Sequence, residues 1–135
     1  MGNALLSNAV RGWLVFTSLF EVPLIYSCIA QNADGSRLAG LYSNLEKSSR
    51  SPAARRLVAF ALSVLVVARI SAAAEVDNAT IQTQNAIIHL IEAIYFGKEA
   101  LLHKARGEKA ILGAIFAQAA LYCYWASRCS TTTTE

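Results

Sequence analysis

The sequence predicts an all-α integral membrane protein, a four-helix bundle with both termini on the same side. Three observations carry that expectation. Four apolar stretches, residues 12–30, 57–74, 80–102 and 110–126, each have roughly the 17–25 residues that a helix needs to cross a bilayer. Cations gather in alternate connections between them. The most polar of the four stretches concentrates its polar residues at helical period along one face.

Composition points the same way. Hydrophobic residues make up 55% of the 135 and charged residues 16%, against about 25% charged in soluble domains. Alanine inflates the apolar count, so a soluble helical bundle stands as the alternative. The length suits one domain, residues 1–135. The formal charge of +3 is dispersed, without a basic stripe interleaved with aromatics, and this excludes nucleic acid as a partner. Cys28, Cys123 and Cys129 show no CxxC spacing and make no disulfide framework. Glu21 and Pro23 interrupt the first apolar run and no small-residue cleavage site follows, so no cleavable signal is expected. In "MGNALLS", Leu6 stands where N-myristoylation wants Ser or Thr.

The first span is apolar but for Glu21 and a few hydroxyls. The second is broken only by Arg69 and small hydroxyls. Nine large apolar residues of that second span favour insertion by roughly 3 to 5 kcal/mol. An arginine at mid-bilayer opposes insertion by about 2.5 to 3.5 kcal/mol. Arg69 lies six residues before Glu75, about 9 Å along a helix, so the interface is within reach of its guanidinium; insertion survives, and position alone does not decide its role. The third span needs its own argument. At 100° per residue, Gln82, Asn85, His89, Glu92, Phe96, Glu99 and His103 fall on one face. Such a helix spans if that face points into the bundle, where Glu21 and Arg69 are candidate partners. The fourth span is nearly charge-free. By hydropathy alone only the second and fourth would be chosen.

Charge placement orients the bundle. Arg37, Lys47, Arg50, Arg55, Arg56, Lys104, Arg106 and Lys109 sit in the first and third connections, facing only Arg11, Arg128 and an acidic turn with Glu75 and Asp77. The bias puts the first and third connections on the cytosolic or matrix side. Trp13, Tyr26, Tyr122, Tyr124 and Trp125 lie near span ends and read as interfacial anchors. Small residues (Ala59, Ala61, Ser63, Ala68, Ser71 and Ala72 in the second span, Gly113, Ala114, Ala117, Ala119 and Ala120 in the fourth) permit close helix contact.

Catalytic and metal chemistry has little footing. His89 with Glu92, and Glu99 with His103, have workable ligand spacings, but a helical di-metal site draws ligands from several helices and the other spans supply only Glu21. Ser63 and Ser71 have no His–acid constellation, and no phosphate loop or dinucleotide fingerprint is present. Asn78-Ala79-Thr80 is a formal glycosylation sequon on a loop too short to clear a membrane. The expectation is a protein that is not an enzyme, without metal or cofactor, whose polar interior is compatible with a bound lipid. The candidate intramembrane polar network and partner contacts are Glu21, Arg69, His89, Glu92, Tyr95 and Glu99, with Glu92 or Glu99 the preferred partner of Arg69.

These residues resemble the ergosterol biosynthetic protein 28 family. "RGWLVFTS" (Arg11 to Ser18) is similar to the family's Arg-x-Trp-Leu opening, and "LYS" at Leu41–Ser43 to its Leu-Tyr-Thr-like element. Arg56, Arg69, Ala73 and Asn78 keep the family's spacing without a gap, with Thr80 following. Phe96 and Glu99 of "YFGKE" stand on its His-Phe-x-Ser-Glu element, where Tyr95 and Lys98 replace the His and the Ser. Leu24 stands where the family usually has Asn, and Leu57 and Ala61 also depart from its pattern near the start of the second span. The resemblance runs from about Arg11 to Trp125.

The resemblance implies a four-span membrane scaffold of the endoplasmic reticulum that tethers the enzymes of sterol 4-demethylation, its partners being other membrane proteins and lipids. Two alternatives stand beside it. One is an accessory subunit of a respiratory or ATP synthase assembly in the mitochondrial inner membrane, where polytopic proteins use internal targeting signals. The other is a small transporter or proton conductor using Glu21, His89, Glu92 and Glu99; an arginine paired to an acid in a dry bundle would count against it.

Overall fold

A computed structural model describes residues 2–29, 52–102 and 109–132. Some side chains within that range, including those of Arg55 and Glu99, lie outside the described set, as do Leu41–Ser43, His103 and the connection cations Arg37, Lys47, Arg50, Lys104 and Arg106. Four helices account for nearly all of the described chain: α1 (Gly2–Ile29), α2 (Pro52–Ala74), α3 (Ala79–Leu102) and α4 (Lys109–Thr132).

The four expected segments are helical over their described residues, and each helix starts before its expected segment. α1 starts ten residues before the apolar run, because its first turns dock on the turn after α2 rather than fraying. α2 begins at Pro52, whose missing N–H is harmless in a first helical turn, so Arg56 lies within the helix. α4 continues past Ala126 because Ser127, Ser130 and Thr131 return their hydroxyls to carbonyls three or four residues back and Cys129 is buried against the rest. Pro23 sits inside α1, where it removes one helical donor.

Helices α1 and α2 pack along each other, as do α3 and α4, while α2 and α3 touch over a shorter length. The pairs are antiparallel. Ser7 and Arg11 near the start of α1 reach Asp77 and Ala73 at the end of α2; His89 stacks on Tyr122, and Gly97 faces Phe116. The start of α1 and the end of α4 therefore meet at the same turn, residues 75–78.

That turn is knitted from all four helices. The last carbonyls of a helix have no intrahelical partner, and here side chains supply donors. Gln82 Nε2 donates to the carbonyls of Ala72 (2.7 Å) and Glu75 (3.2 Å). Arg11 Nε donates to Ala73 O at 3.0 Å, a cation placed at a helix C-terminus. Trp125 Nε1 (2.8 Å) and Cys129 Sγ (3.6 Å) both donate to Val76 O. Asn78 starts α3 by accepting from the N–H groups of Thr80 and Ile81, an N-cap. The apolar core surrounds this hub: Val10, Leu14, Ala72, Ala73, Val76, Ala86, Tyr122, Trp125, Ala126 and Cys129. Tyr122 and Trp125 thus depart from the expectation of interfacial anchors. They are buried because their polar tips find partners inside, whereas Trp13, Tyr26 and Tyr124 remain exposed.

The rest of the molecule is inverted relative to a soluble bundle. Among the described residues the buried polar side chains are Ser18, Arg69, Gln82, Asn85 and His89, while Phe16, Leu19 and Phe20 of α1, Phe60 and Val67 of α2, and Ile91 and Ile94 of α3 face outward. Two segments among the described residues are long and apolar enough to cross a bilayer, 4–26 at mean hydropathy 1.2 and 56–74 at 2.2. The second span was expected to pass on hydropathy, and the first does so as well. For the fourth, the apolar first turn of α4 lies outside the described side chains.

Candidate functional site

The largest fully buried side chain is Arg69, 1% exposed, at the centre of the bundle. Length along α2 left the interface within its reach, and the side chain lies instead in the expected intramembrane network. Its guanidinium turns inward because every helix offers it an acceptor. From α1, Glu21 Oε1 lies 2.6 Å from Nη1, an ion contact without hydrogen-bond alignment. From α3, His89 Nε2 accepts from Nε at 2.7 Å, and Glu92 Oε2 stands 4.0 Å from Nη2. From α4, Gln118 completes the ring. With its amide oxygen turned to the guanidinium, that oxygen lies 3.1 Å from both Nη2 and Nε and accepts from the Tyr122 hydroxyl at 2.9 Å.

Helical spacing explains the convergence. Asn85, His89 and Glu92 recur at intervals of four and three, one face of α3. His89 is fixed twice: its Nδ1 donates to Asn85 O at 2.8 Å, which leaves Nε2 as the acceptor for Arg69, and its ring stands edge-on to Tyr122 with centroids 4.6 Å apart. Gln118 and Tyr122 are one turn apart on α4. Ser18, buried on α1, donates to its own Leu14 carbonyl at 2.7 Å.

Of the expected network, Glu21, Arg69, His89 and Glu92 are brought together. Among the described side chains Glu21, rather than the preferred Glu92, is the nearest carboxylate to Arg69. Tyr95 is not brought in: it is 52% exposed and its ring meets Phe96 edge-on at 5.5 Å. The Glu99 side chain lies outside the described set. Among the family-like positions, Arg11 and Ala73 bond each other, Asn78 caps α3 and also donates to Glu75 Oε2 at 2.7 Å. Trp13 and Arg56 are exposed, and Phe96 is half-buried. The side-chain nitrogen of the Asn78 sequon is thus engaged within the turn.

Sequence reasoning missed Gln118 and Gln82. Gln118 is the one amide or charged side chain in residues 110–126, the same signal that singled out Arg69 in α2. Gln82 was placed on the inward face but not at the carbonyls of α2. Among the described residues no three His, Cys, Asp or Glu side chains gather as a metal site would require.

What the cluster can do follows from its central group. An arginine stays protonated and exchanges no proton, and a buried, fixed positive charge repels cations. It is suited to clamping helices together by charge-assisted hydrogen bonds.

Fold and site together define an inverted helical bundle clamped around one buried arginine. The family model described as Erg28 like protein matches residues 10–122, which include α2, α3 and all the cluster residues, and the chain belongs to the Erg28-like family. No curated protein and no solved structure gives a significant match.

Proposed function

We propose that this chain is a four-span membrane scaffold without catalysis of its own, which holds partner proteins of a membrane complex together. The observation that carries the reading is the inverted distribution of polarity: acceptors from α1, α3 and α4 enclose Arg69, while large apolar side chains face outward on the same helices. In water that exterior would be a continuous adhesive surface. In lipid it is the stable arrangement, because polar groups find partners only inside. The helices α1 and α2 cross by hydropathy, and α3 and α4 follow because their polar faces close on Arg69 and on the 75–78 turn.

Family membership supports a finer reading. The chain would reside in the endoplasmic reticulum membrane, and its partners would be the enzymes of sterol 4-demethylation. Nothing in the family match supports the mitochondrial alternative. Pairing of Arg69 with Glu21 counts against a transporter. The test is affinity purification in mild detergent with mass spectrometry of co-eluting proteins. Sterol-demethylation enzymes in the eluate are the expected result; an eluate of respiratory or ATP synthase subunits, or of the bait alone, overturns the partner assignment. Release of the protein by alkaline carbonate would overturn membrane integration itself.

A further inference from the structure

Two carboxyl groups meet one cation in the buried cluster. Glu21 Oε1 stands 2.6 Å from Arg69 Nη1, whereas Glu92 Oε2 lies 4.0 Å from Nη2, beyond hydrogen-bond length. The guanidinium is supplied without Glu92: its Nε donates to His89 Nε2, and the turned Gln118 oxygen lies 3.1 Å from Nη2. Around the cluster α1 contributes Glu21, α2 Arg69, α3 His89 and Glu92, and α4 only the uncharged Gln118 and Tyr122. His89 adds no charge, because its Nδ1 donates to Asn85 O and its Nε2 is the acceptor for Arg69. The other cations with described side chains, Arg11, Arg56, Lys98 and Arg128, are all exposed.

With both carboxyls ionised the cluster would therefore hold one negative charge in excess, on side chains that are each only 13% exposed. A buried carboxylate without a cation of its own is neutralised by taking up a proton, and like charges on one site oppose each other's ionisation. A separate observation agrees. Glu21 Oε2 is buried and has no hydrogen-bond partner, so the cluster is short of a donor, and a protonated carboxyl is one. We propose that Glu92 is a proton-binding site: Arg69 supports one ionised carboxyl at a time, Glu21 carries that charge, and Glu92 is the neutral acid. The polar centre is then electrically neutral as a whole, and loss of the Glu92 proton is the event that charges it. The inference rests on the membrane-spanning reading above, since water on the outer faces would solvate a second charge.

The test compares infrared spectra of the full chain, purified in a maltoside detergent that has no carbonyl of its own, with those of Glu92→Gln and Glu21→Gln at neutral pH. The parent should show the carbonyl stretch of a protonated carboxylic acid, moved by heavy water, and Glu92→Gln should lose it. That variant should keep the parent's unfolding midpoint in an SDS titration, because a neutral amide replaces a neutral acid of the same shape. Glu21→Gln should lose the band as well, since Glu92 becomes the carboxyl beside Arg69 and takes the charge, which a purely structural role for Glu92 would not produce. No such band in the parent, a band unchanged in either variant, or earlier unfolding of Glu92→Gln overturns the proposal. Carbonate extraction of the source membranes separates the two failures: a protein that stays in the membrane but shows no band refutes the proton alone.

Discussion

Arg69 interacts with all three other helices, and that decides what its loss does. Removing one partner from a buried ion pair costs about 3–5 kcal/mol because the other charge is stranded. Arg69→Leu leaves Glu21 and Glu92 facing His89 and Gln118 without a cation, while raising the hydropathy of α2. The variant should therefore insert as well as the parent yet unfold earlier in an SDS titration. Adding Glu21→Gln should recover part of the loss, and an unchanged unfolding midpoint for Arg69→Leu would refute the clamp. Any loss of partners in this variant then acts through the bundle, since the guanidinium is enclosed. At the other end of the molecule, burial and then the Asp77 carboxylate push the Cys129 thiol above its ordinary value. The thiolate is the reacting form, so maleimide labelling of Cys129 should rise only at pH values above the usual thiol range. Asp77→Asn should bring that rise to lower pH, as peptide mass spectrometry across a pH series would record.

At the scale of elements, the junction of α2 and α3 is densely bonded, drawing side chains from α1, α3 and α4. Asn78 was legible only as a family position and a sequon, although an Asn just before an apolar-periodic run is a helix-start signal. The structure makes it the cap of α3. Asn78→Ala should destabilise the protein by about 1 kcal/mol, with faster hydrogen exchange at the amides of Thr80 and Ile81; unchanged exchange there would argue against the cap. The inward face of α3 was legible from period alone, because three- and four-residue spacing fixes a face whatever it meets. Glu99 and His103, at the far end of that face, lie outside the described side chains. Gly97 shows what spacing cannot give. A Cβ there would stand 3.0 Å from Phe116 Cζ, so the missing side chain lets the α4 ring lie on α3.

For the whole molecule, the antiparallel order and the shared turn place the start of α1 and the end of α4 together. Combined with the cation bias, this predicts that tags at both ends share one side of the membrane, with residues 31–51 and 103–108 on the other. Protease protection in sealed microsomes would check it, and protection of the two ends on opposite sides would refute a four-span arrangement.

The sequence by itself determined where the four described helices lie, the inward face of α3, the family spacing from Arg56 to Asn78 and the unusual presence of Arg69. These are properties of composition and period, which need no knowledge of neighbours. Only the tertiary structure decided that Glu21 lies closer to Arg69 than Glu92 does, that Gln118 closes the ring, that Tyr95 faces out and that Tyr122 and Trp125 face in. Those outcomes depend on how helices remote in sequence are rotated against one another. An arginine that could have snorkelled along α2 is held inside because three other helices turn acceptors toward it.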